Sequence, residues 1–449
     1  MGYEKTIQEM KELYLKDSRP WIIGLSGGKD STCVTQLAYY MLKDLEPSQR
    51  NKTVHVVSND TLVESPIIEQ RIKNTISKIR KSSKEDNLPI NSKVLKPALN
   101  DTFWVNLIGR GYPSPNKWFR WCTDRLKIKP TTRFMEEKVE KSGEVIVLLG
   151  ARKDESASRA QTMKEYEIPE YNLRTHSKVS GAFIYAPIED WTENDVWSYL
   201  MQVNSPWGGN NKELVALYNK ADEECPFQTD KSTEPCGSSR FGCWTCTVVD
   251  EDRSVEGLIE EGEKWMKPLL EFRNWLKEIR NDESKREDTQ KQSMKKSVFA
   301  DELDLNFEAP THRGHKVLGP FTFETRHEIL RRLIDLQENK LEKDMELITP
   351  EELKAIETIL IYEGDEISSL ADILEENVGD TEEKFDEMSK IKKISEKHDV
   401  DPRLIEKLMV VENDLSSLSR RVGLYSRIEE VLDEHIVSKA RKEDETGET

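Results

Sequence analysis

The sequence predicts an α/β fold: a parallel sheet with helices on both faces, then a cysteine-rich insert and a helical C-terminal region. Three observations predict it. Short β-branched apolar runs alternate with helical periodicity over residues 20–149. Four of the six cysteines fall within residues 225–246. From about residue 322 to 438 the periodicity is helical.

Residues 1–19 read as a helix against the first strand. Pro20 to Leu25 is that strand, and Cys33 to Leu45 has helical spacing. Thr53 to Ser58 reads as a second buried strand, residues 65–83 as helix, and Ser92 to Leu95 as a third strand. Residues 98–127 are aromatic-rich and irregular, 128–142 helical, and Glu144 to Leu149 a clear strand. Residues 201–255 lose periodicity. Residues 256–280 form a helix with an apolar stripe of Trp265, Leu269, Phe272, Trp275, Leu276 and Ile279. Residues 281–297 are polar and charged, which predicts a mobile loop. The expected division is 1–200 as the nucleotide domain, 201–255 as the cysteine segment, 256–335 as a helical basic segment, and 336–449 as an acidic helical tail.

The net charge of −18 is uneven. Residues 341–449 hold 31 acidic and 15 basic side chains, so residues 1–340 sum to only −2. Tight DNA binding by the whole chain alone is not expected, because the tail repels a phosphate backbone. No apolar run approaches the ~20 residues of a membrane span. Met1 to Lys16 lacks a signal-peptide core, so a cytoplasmic protein is expected. In that setting cysteines serve metals or chemistry rather than disulfides.

Between the first strand and helix lies Ser26-Gly27-Gly28-Lys29-Asp30-Ser31-Thr32. Paired glycines permit close backbone approach, and the helix start offers free N–H groups to an anion. The spacing is not that of a Walker A loop. Asn59-Asp60-Thr61 ends the second strand as a polar loop. Gly150 to Arg159 follows the strongest strand; Arg152 and Arg159 suit bidentate phosphate contacts. Thr192 and Asp195 have the spacing of a helix cap, and Trp197 reads as core.

Residues 117–133 hold six bases, one acid and three aromatic residues. That composition suits a nucleic-acid groove, with Lys117, Arg120, Arg125, Lys127 and Lys129 as contacts. A solvated basic face over core aromatics satisfies it too. Cys122 lies among these cations, which would favour its thiolate and make it a persulfide carrier; a buried inert thiol is the alternative. Cys33 reads as packing. Cys225, Cys236, Cys243 and Cys246 have the spacing C-x10-C-x6-C-x2-C, a zinc or iron–sulfur set. Thr311 to Lys316, with Arg326, His327, Arg331 and Arg332, form a second basic patch suited to a substrate groove or a partner surface, although lone histidines are commonly structural.

SGGKDST resembles the PP-loop of the ATP pyrophosphatase (HUP-like) superfamily. The segment GARKDESASR and the tryptophan helix resemble its phosphoadenylyl-sulfate reductase branch. Together with RWCTDRLKIKP and CGSSRFGCWTC, the pattern over residues 15–335 resembles the DndC-type sulfurtransferases of DNA phosphorothioation. The resemblance implies an ATP pyrophosphatase that replaces a non-bridging DNA phosphate oxygen with sulfur. It implies ATP with Mg²⁺ held by Ser26, Gly27, Gly28, Lys29, Asp30, Ser31, Thr32, Asp60, Thr61, Gly150 and Arg152. Lys29, Asp30, Cys122, Arg152 and Arg159 are the implied catalytic set, and the four cysteines of residues 225–246 would hold a [4Fe–4S] cluster. The implied partners are DNA, a cysteine desulfurase, an SMC-like ATPase and a small DNA-binding subunit. The rival expectations are an adenylyl-sulfate or phosphoadenylyl-sulfate reductase, a tRNA-thiolating enzyme, and a nucleotide-binding scaffold with a structural cluster. The reductases carry a cysteine near the C-terminus, and no cysteine follows Cys246.

Overall fold

The computed structural model describes residues 2–155, 167–168, 173–221, 242–288, 318–341 and 345–363, with scattered positions from 365 to 435. It divides into two compact units, residues 1–103 with 115–273, and residues 104–114 with 274–449.

The first unit begins with the expected alternation: α1 (Tyr3–Lys16), β1 (Trp21–Gly24), α2 (Lys29–Lys43), β2 (Val54–Asn59), α3 (Pro66–Glu85), β3 (Ile90–Leu95), α4 (Lys129–Ser142) and β4 (Val145–Leu148). After it come β5 (Glu167–Ile168), β6 (Leu173–Thr175), β7 (Ala182–Tyr185), α5 (Glu193–Gln202), α6 (Lys212–Ala221), α7 (Arg253–Glu260) and α8 (Lys267–Ile279), which passes into the second unit after Arg273. Among the described residues these strands form a seven-stranded sheet in the order β3-β2-β1-β4-β7-β6-β5. The first five are mutually parallel; β6 and β5 close the edge antiparallel.

Strand β1 reads Trp-Ile-Ile-Gly because it is buried on both faces. Trp21 and Ile23 join α1, α2 and α3 on one side through Met10, Val34, Leu37 and Ile72. Ile22 turns to the other side with Val57, Val145, Val147 and the α4 residues Phe134 and Met135. The strand order reverses between β1 and β4, so a crevice opens beyond their carboxyl ends. Ser26 follows β1, Asp60 follows β2 and Gly150 follows β4.

Several expectations change. The short strands β5 to β7 are too brief to show alternation in sequence. Residues 98–127 are not wholly irregular, since Trp121–Thr123 and Asp124–Ile128 wind helically into α4. Residues 201–255 contain α6, and 256–280 is two helices, broken at Gly262 with φ +117°. Thr192 caps α5 as expected, with reciprocal bonds of 3.2 Å from the Asp195 amide and 2.8 Å from its own amide to Asp195.

His55 on β2 meets Phe134 edge-on at 5.5 Å. Burial, reinforced by the Lys138 charge, lowers its pKa to about 4. The folded state therefore disfavours the protonated ring. Its contribution to stability is present above pH ~6.5, the ordinary value, and is lost as pH falls toward the folded value. Urea midpoints from pH 7 to 4 should drop for the wild type and drop less for His55→Gln; parallel curves would exclude this group.

The second unit holds β8 (Arg286–Asp288), β9 (Leu318–Phe321), α9 (Phe323–Asp335) and α10 (Pro350–Glu363). β8 pairs antiparallel with β9, so the expected mobile loop is in part a strand; residues 289–297 lie outside the described residues. Arg326 is buried and donates to Phe321 O at 2.9 Å, Gly109 O at 3.0 Å and Glu363 at 2.5 Å. It fits because Gly111, at φ +67°, has no Cβ; one would stand 2.4 Å from Arg326 Nε. His327 Nε2 lies 2.6 Å from Asp365 Oδ2, both buried. Arg326 and His327 therefore do not form the expected surface patch: acids of the C-terminal region bury and neutralise them. Thr311 to Lys316 lie outside the described residues.

Candidate active site

The loop from Ser26 to Thr32 is shaped by its own hydroxyls and by two glycines. The Ser26 amide donates to Ser31 Oγ at 3.2 Å, the two hydroxyls lie 3.0 Å apart, and Ser31 Oγ donates to Gly28 O at 3.1 Å. Gly27 has φ +82°, and a Cβ there would lie 3.1 Å from Ile72 Cγ1. Gly28 caps α2 with no side-chain bond of its own, which leaves the helix start to an external anion. The Lys29 amide donates to Tyr218 OH at 3.2 Å, a partner the sequence did not disclose.

Charges converge on the same loop. Lys29 Nζ lies 3.2 Å from Glu193 and 3.6 Å from Asp30, and 5.2 Å from the Tyr218 ring centre. Burial pulls its pKa down, but Asp30, Tyr218 and Glu193 outweigh burial and raise it above the ordinary lysine value. Arg152 is buried and its Nε donates to Asp30 at 2.7 Å. It thus positions Asp30 through Nε. Gly150 makes this approach possible: a Cβ would stand 2.7 Å from the Asp30 carbonyl carbon and 2.9 Å from the Ser31 amide. Arg159 lies outside the described residues.

Beside the loop is a cavity of about 500 Å³, touched by Leu25, Gly27 and Thr32 on one side and Arg71, Lys78 and Trp207 on the other. Arg71 Nη1 is buried there with no hydrogen-bond partner among the described residues. A donor left so is costly unless a ligand accepts it. Neither Arg71 nor Lys78 stands near the motif in sequence; only the α3 periodicity (Ile68, Ile72, Ile76 inward) hints that they face elsewhere.

The corner after β2 serves two purposes. Asp60 is buried and accepts the Leu62 amide at 2.9 Å. Thr61 Oγ1 lies 3.3 Å from Cys243 Sγ. The chain around Cys243 is docked on this corner: Ser65 N donates to Gly242 O at 3.3 Å and Trp244 N to Val63 O at 3.0 Å. The Cys246 amide donates to Cys243 O at 2.9 Å, the tight turn of a Cys-x2-Cys knuckle. Arg273, fully buried, holds the knuckle's exit by donating to Cys246 O at 2.7 Å, Asp250 O at 3.1 Å and Val249 O. Cys225 and Cys236 lie outside the described residues.

The expected favoured thiolate at Cys122 is not found. Burial and the neighbouring Cys246 raise its pKa, against a smaller lowering by Lys127. Burial is the largest cause, and the nearby cations are also paired with acids. Arg125 and Lys129 pair with Asp101 at 2.7 and 3.2 Å, and Lys127 with Glu64 at 3.3 Å. Burial lowers the Lys127 pKa, but Cys243, Glu64 and Cys122 together raise it. These three bases are therefore charge-paired, Lys127 and Lys129 while still partly exposed, whereas Lys117 and Arg120 are exposed. Cys33 is buried, with its thiol pKa well raised by burial, and packs as expected. Among the described residues no three His, Cys, Asp or Glu side chains converge as a metal site.

Residues 20–249 match the family model of the phosphoadenosine phosphosulfate reductase domain. An uncharacterised protein of Methanocaldococcus jannaschii is 26% identical over 275 residues, 60% of this chain and 46% of that protein. The adenosine 5′-phosphosulfate reductase of Salinibacter ruber is 26% identical over 145 residues, 32% of this chain and 46% of its own. The chain thus spans about half the length of the curated relatives it matches. Among solved structures, the phosphoadenylyl-sulfate reductase of Candida auris in its phosphate complex is 14% identical, with TM-score 0.30 over 47% of this chain and 85% of that one. The U34-tRNA thiolase NcsA of Methanococcus maripaludis with its [4Fe–4S] cluster is 14% identical, with TM-score 0.29 over 61% of this chain and 79% of that one. No helix of the described residues is long and apolar enough to cross a membrane.

Proposed function

The chain belongs to the phosphoadenosine phosphosulfate reductase domain family, and we propose that within it this protein is an ATP-consuming sulfurtransferase acting on a DNA phosphate, of the phosphorothioation type. One observation carries the reading: the corner after β2, beside the nucleotide loop, is packed directly against Cys243, with Thr61 at 3.3 Å. The Cys243 turn then lies at the carboxyl end of β2, the strand next to β1, whose end carries the nucleotide loop. The sequence resemblance supports DNA as the acceptor. The near-neutral front and acidic tail suit a catalytic subunit that reaches DNA through a small DNA-binding subunit and an SMC-like ATPase.

In this reading the α2 start and the Ser26 and Ser31 hydroxyls hold the ATP phosphates, and the adjoining cavity takes the rest of the nucleotide. Arg71 Nη1 supplies a waiting donor there. Asp30, steadied by Arg152, is the carboxylate placed for a nucleotide-borne Mg²⁺. A DNA phosphate oxygen attacks the α-phosphorus; the new P–O bond forms as the bond to pyrophosphate breaks, and pyrophosphate leaves with the electron pair. Lys29, kept charged at neutral pH, offsets the charge that develops. Hydrosulfide, released when the Cys122 thiol attacks the inner sulfur of a desulfurase persulfide and forms a disulfide with it, then attacks the adenylated DNA phosphorus. The P–S bond forms, AMP leaves with the electron pair, and the S–H proton passes to solvent.

The described donor set fits an iron–sulfur group: two thiols in a tight turn, with a lysine beside them and a buried arginine fixing the backbone. Cys243 and Cys246, with Cys225 and Cys236, would hold it. When bound, such a cluster supplies iron that can ligate sulfide.

Anaerobic assays test the reading. Pyrophosphate release should depend on DNA, and sulfite formation from adenylyl sulfate would overturn it in favour of a reductase. Cys243→Ser should bleach the visible absorbance and lower bound iron by at least half, because a soft sulfur donor is lost. Cys122→Ser should retain iron and lose sulfur transfer. Iron loss in Cys122→Ser would place that thiol among the ligands.

A further inference from the structure

We propose that the turn at residues 116–120 is a stacking contact for one unpaired base of the nucleic-acid acceptor, with Trp118 as the platform and Lys117 and Arg120 as the flanking phosphate partners. The inference rests on the nucleic-acid reading above and narrows it to one element. Trp118 is 76% exposed, an unusual place for the largest apolar side chain. Its turn is built, not loose. Asn116 Oδ1 accepts the amides of Trp118 and Phe119, each at 2.8 Å, and the Asn116 amide donates to Phe119 O at 3.2 Å. The next aromatic, Trp121, is buried and stacks on Phe103 at 5.3 Å and 25°. A fixed turn followed by a core anchor presents the indole at little entropic cost, which is what a stacking platform requires.

The charges divide at the same place. Arg125, Lys127 and Lys129 are each paired with Asp101 or Glu64. Lys117 and Arg120 are exposed, and neither has an acidic partner among the described residues. Of the segment's exposed cations with no acidic partner given among the described residues (Lys117, Arg120 and Arg133), the first two bracket the exposed indole. An indole face needs a base face, and a paired duplex hides its faces in the stack. The ligand is therefore an unstacked base with phosphates on both sides. Cys122 follows within two residues of Arg120, which brings such a strand to the sulfur-rich corner.

The test is fluorescence anisotropy with a labelled single-stranded DNA 20-mer, its duplex, and an RNA hairpin with an unpaired loop. Wild type should bind single strands more tightly than the duplex. Trp118→Ala should weaken single-strand binding about 5- to 100-fold with the salt slope unchanged; Trp118→Phe should restore most of it. The Lys117→Ala/Arg120→Ala double variant should reduce the salt slope by about 1 to 1.5. The DNA and RNA arms identify which nucleic acid is the natural source. Equal affinity of wild type and Trp118→Ala overturns the stacking contact, while DNA-stimulated pyrophosphate release in the same preparations keeps the parent reading. Absence of binding by the wild type overturns the stacking contact, and absence of DNA-stimulated pyrophosphate release with the partner subunits present overturns the parent reading. An unchanged circular dichroism melt excludes misfolding as the cause.

Discussion

Lys29→Ala should lower ATP-dependent pyrophosphate release by about 100- to 1000-fold, the scale of removing one preorganised charge from a transition state. The ammonium is held by Glu193 at 3.2 Å and Asp30 at 3.6 Å, so it is already in place before any nucleotide binds. Those acids also keep its pKa above the ordinary value despite burial, so it stays protonated through neutral and mildly alkaline pH. Lys29→Arg should recover only part of the rate, because a planar fork does not reproduce a point charge. The fold should survive, since the backbone of the loop is fixed by Ser26, Ser31 and Tyr218 rather than by this side chain. Bound iron should match wild type. A rate within threefold of wild type would remove Lys29 from the chemistry.

Gly150→Ala should both destabilise the first unit and abolish nucleotide turnover. Its Cβ would meet backbone at 2.7 to 2.9 Å, the carbonyl of Asp30 and the amide of Ser31, so no rotamer change can relieve the overlap. Overpacking of this kind costs about 1 to 3 kcal/mol. The strain falls on the first turn of α2, whose free N–H groups are the proposed phosphate contacts. Gly24→Ala is the matched control. It also ends a strand, but its Cβ would touch only Leu149 Cδ2, at 3.9 Å. Thermal melts and pyrophosphate release should separate the two variants. Equal behaviour would mean that the loop tolerates displacement and that its close packing on β4 is incidental.

The alternation of β1 to β4 with their helices was legible because each parallel strand is buried on both faces and therefore reads as an unbroken apolar run. The nucleotide loop was legible because its glycines and hydroxyls are contiguous. The Thr192 cap was legible because a helix start is a local event. Beyond these, neighbours distant in sequence decide. Tyr218 reaches Lys29 from 189 residues away, and Arg71 faces the cavity only through the pose of α3. The basic stretch 117–133 looked uniform, yet Asp101 and Glu64 pair with three of its cations, while Lys117, Arg120 and Arg133 are exposed. Burial first, then Cys246, keeps Cys122 from the activated thiolate its sequence neighbours promised.

Sequence by itself determined the strand–loop–helix that cradles a phosphate, and the thiol pair Cys243 and Cys246, because both depend on residues adjacent along the chain. Tertiary structure alone decided that Cys243 rests on Thr61 at the end of β2, that Arg152 serves Asp30, and that one tryptophan of the basic segment faces solvent while the next is core. Those outcomes depend on which side chains share a buried volume, and charge pairing and burial are set by neighbours in space.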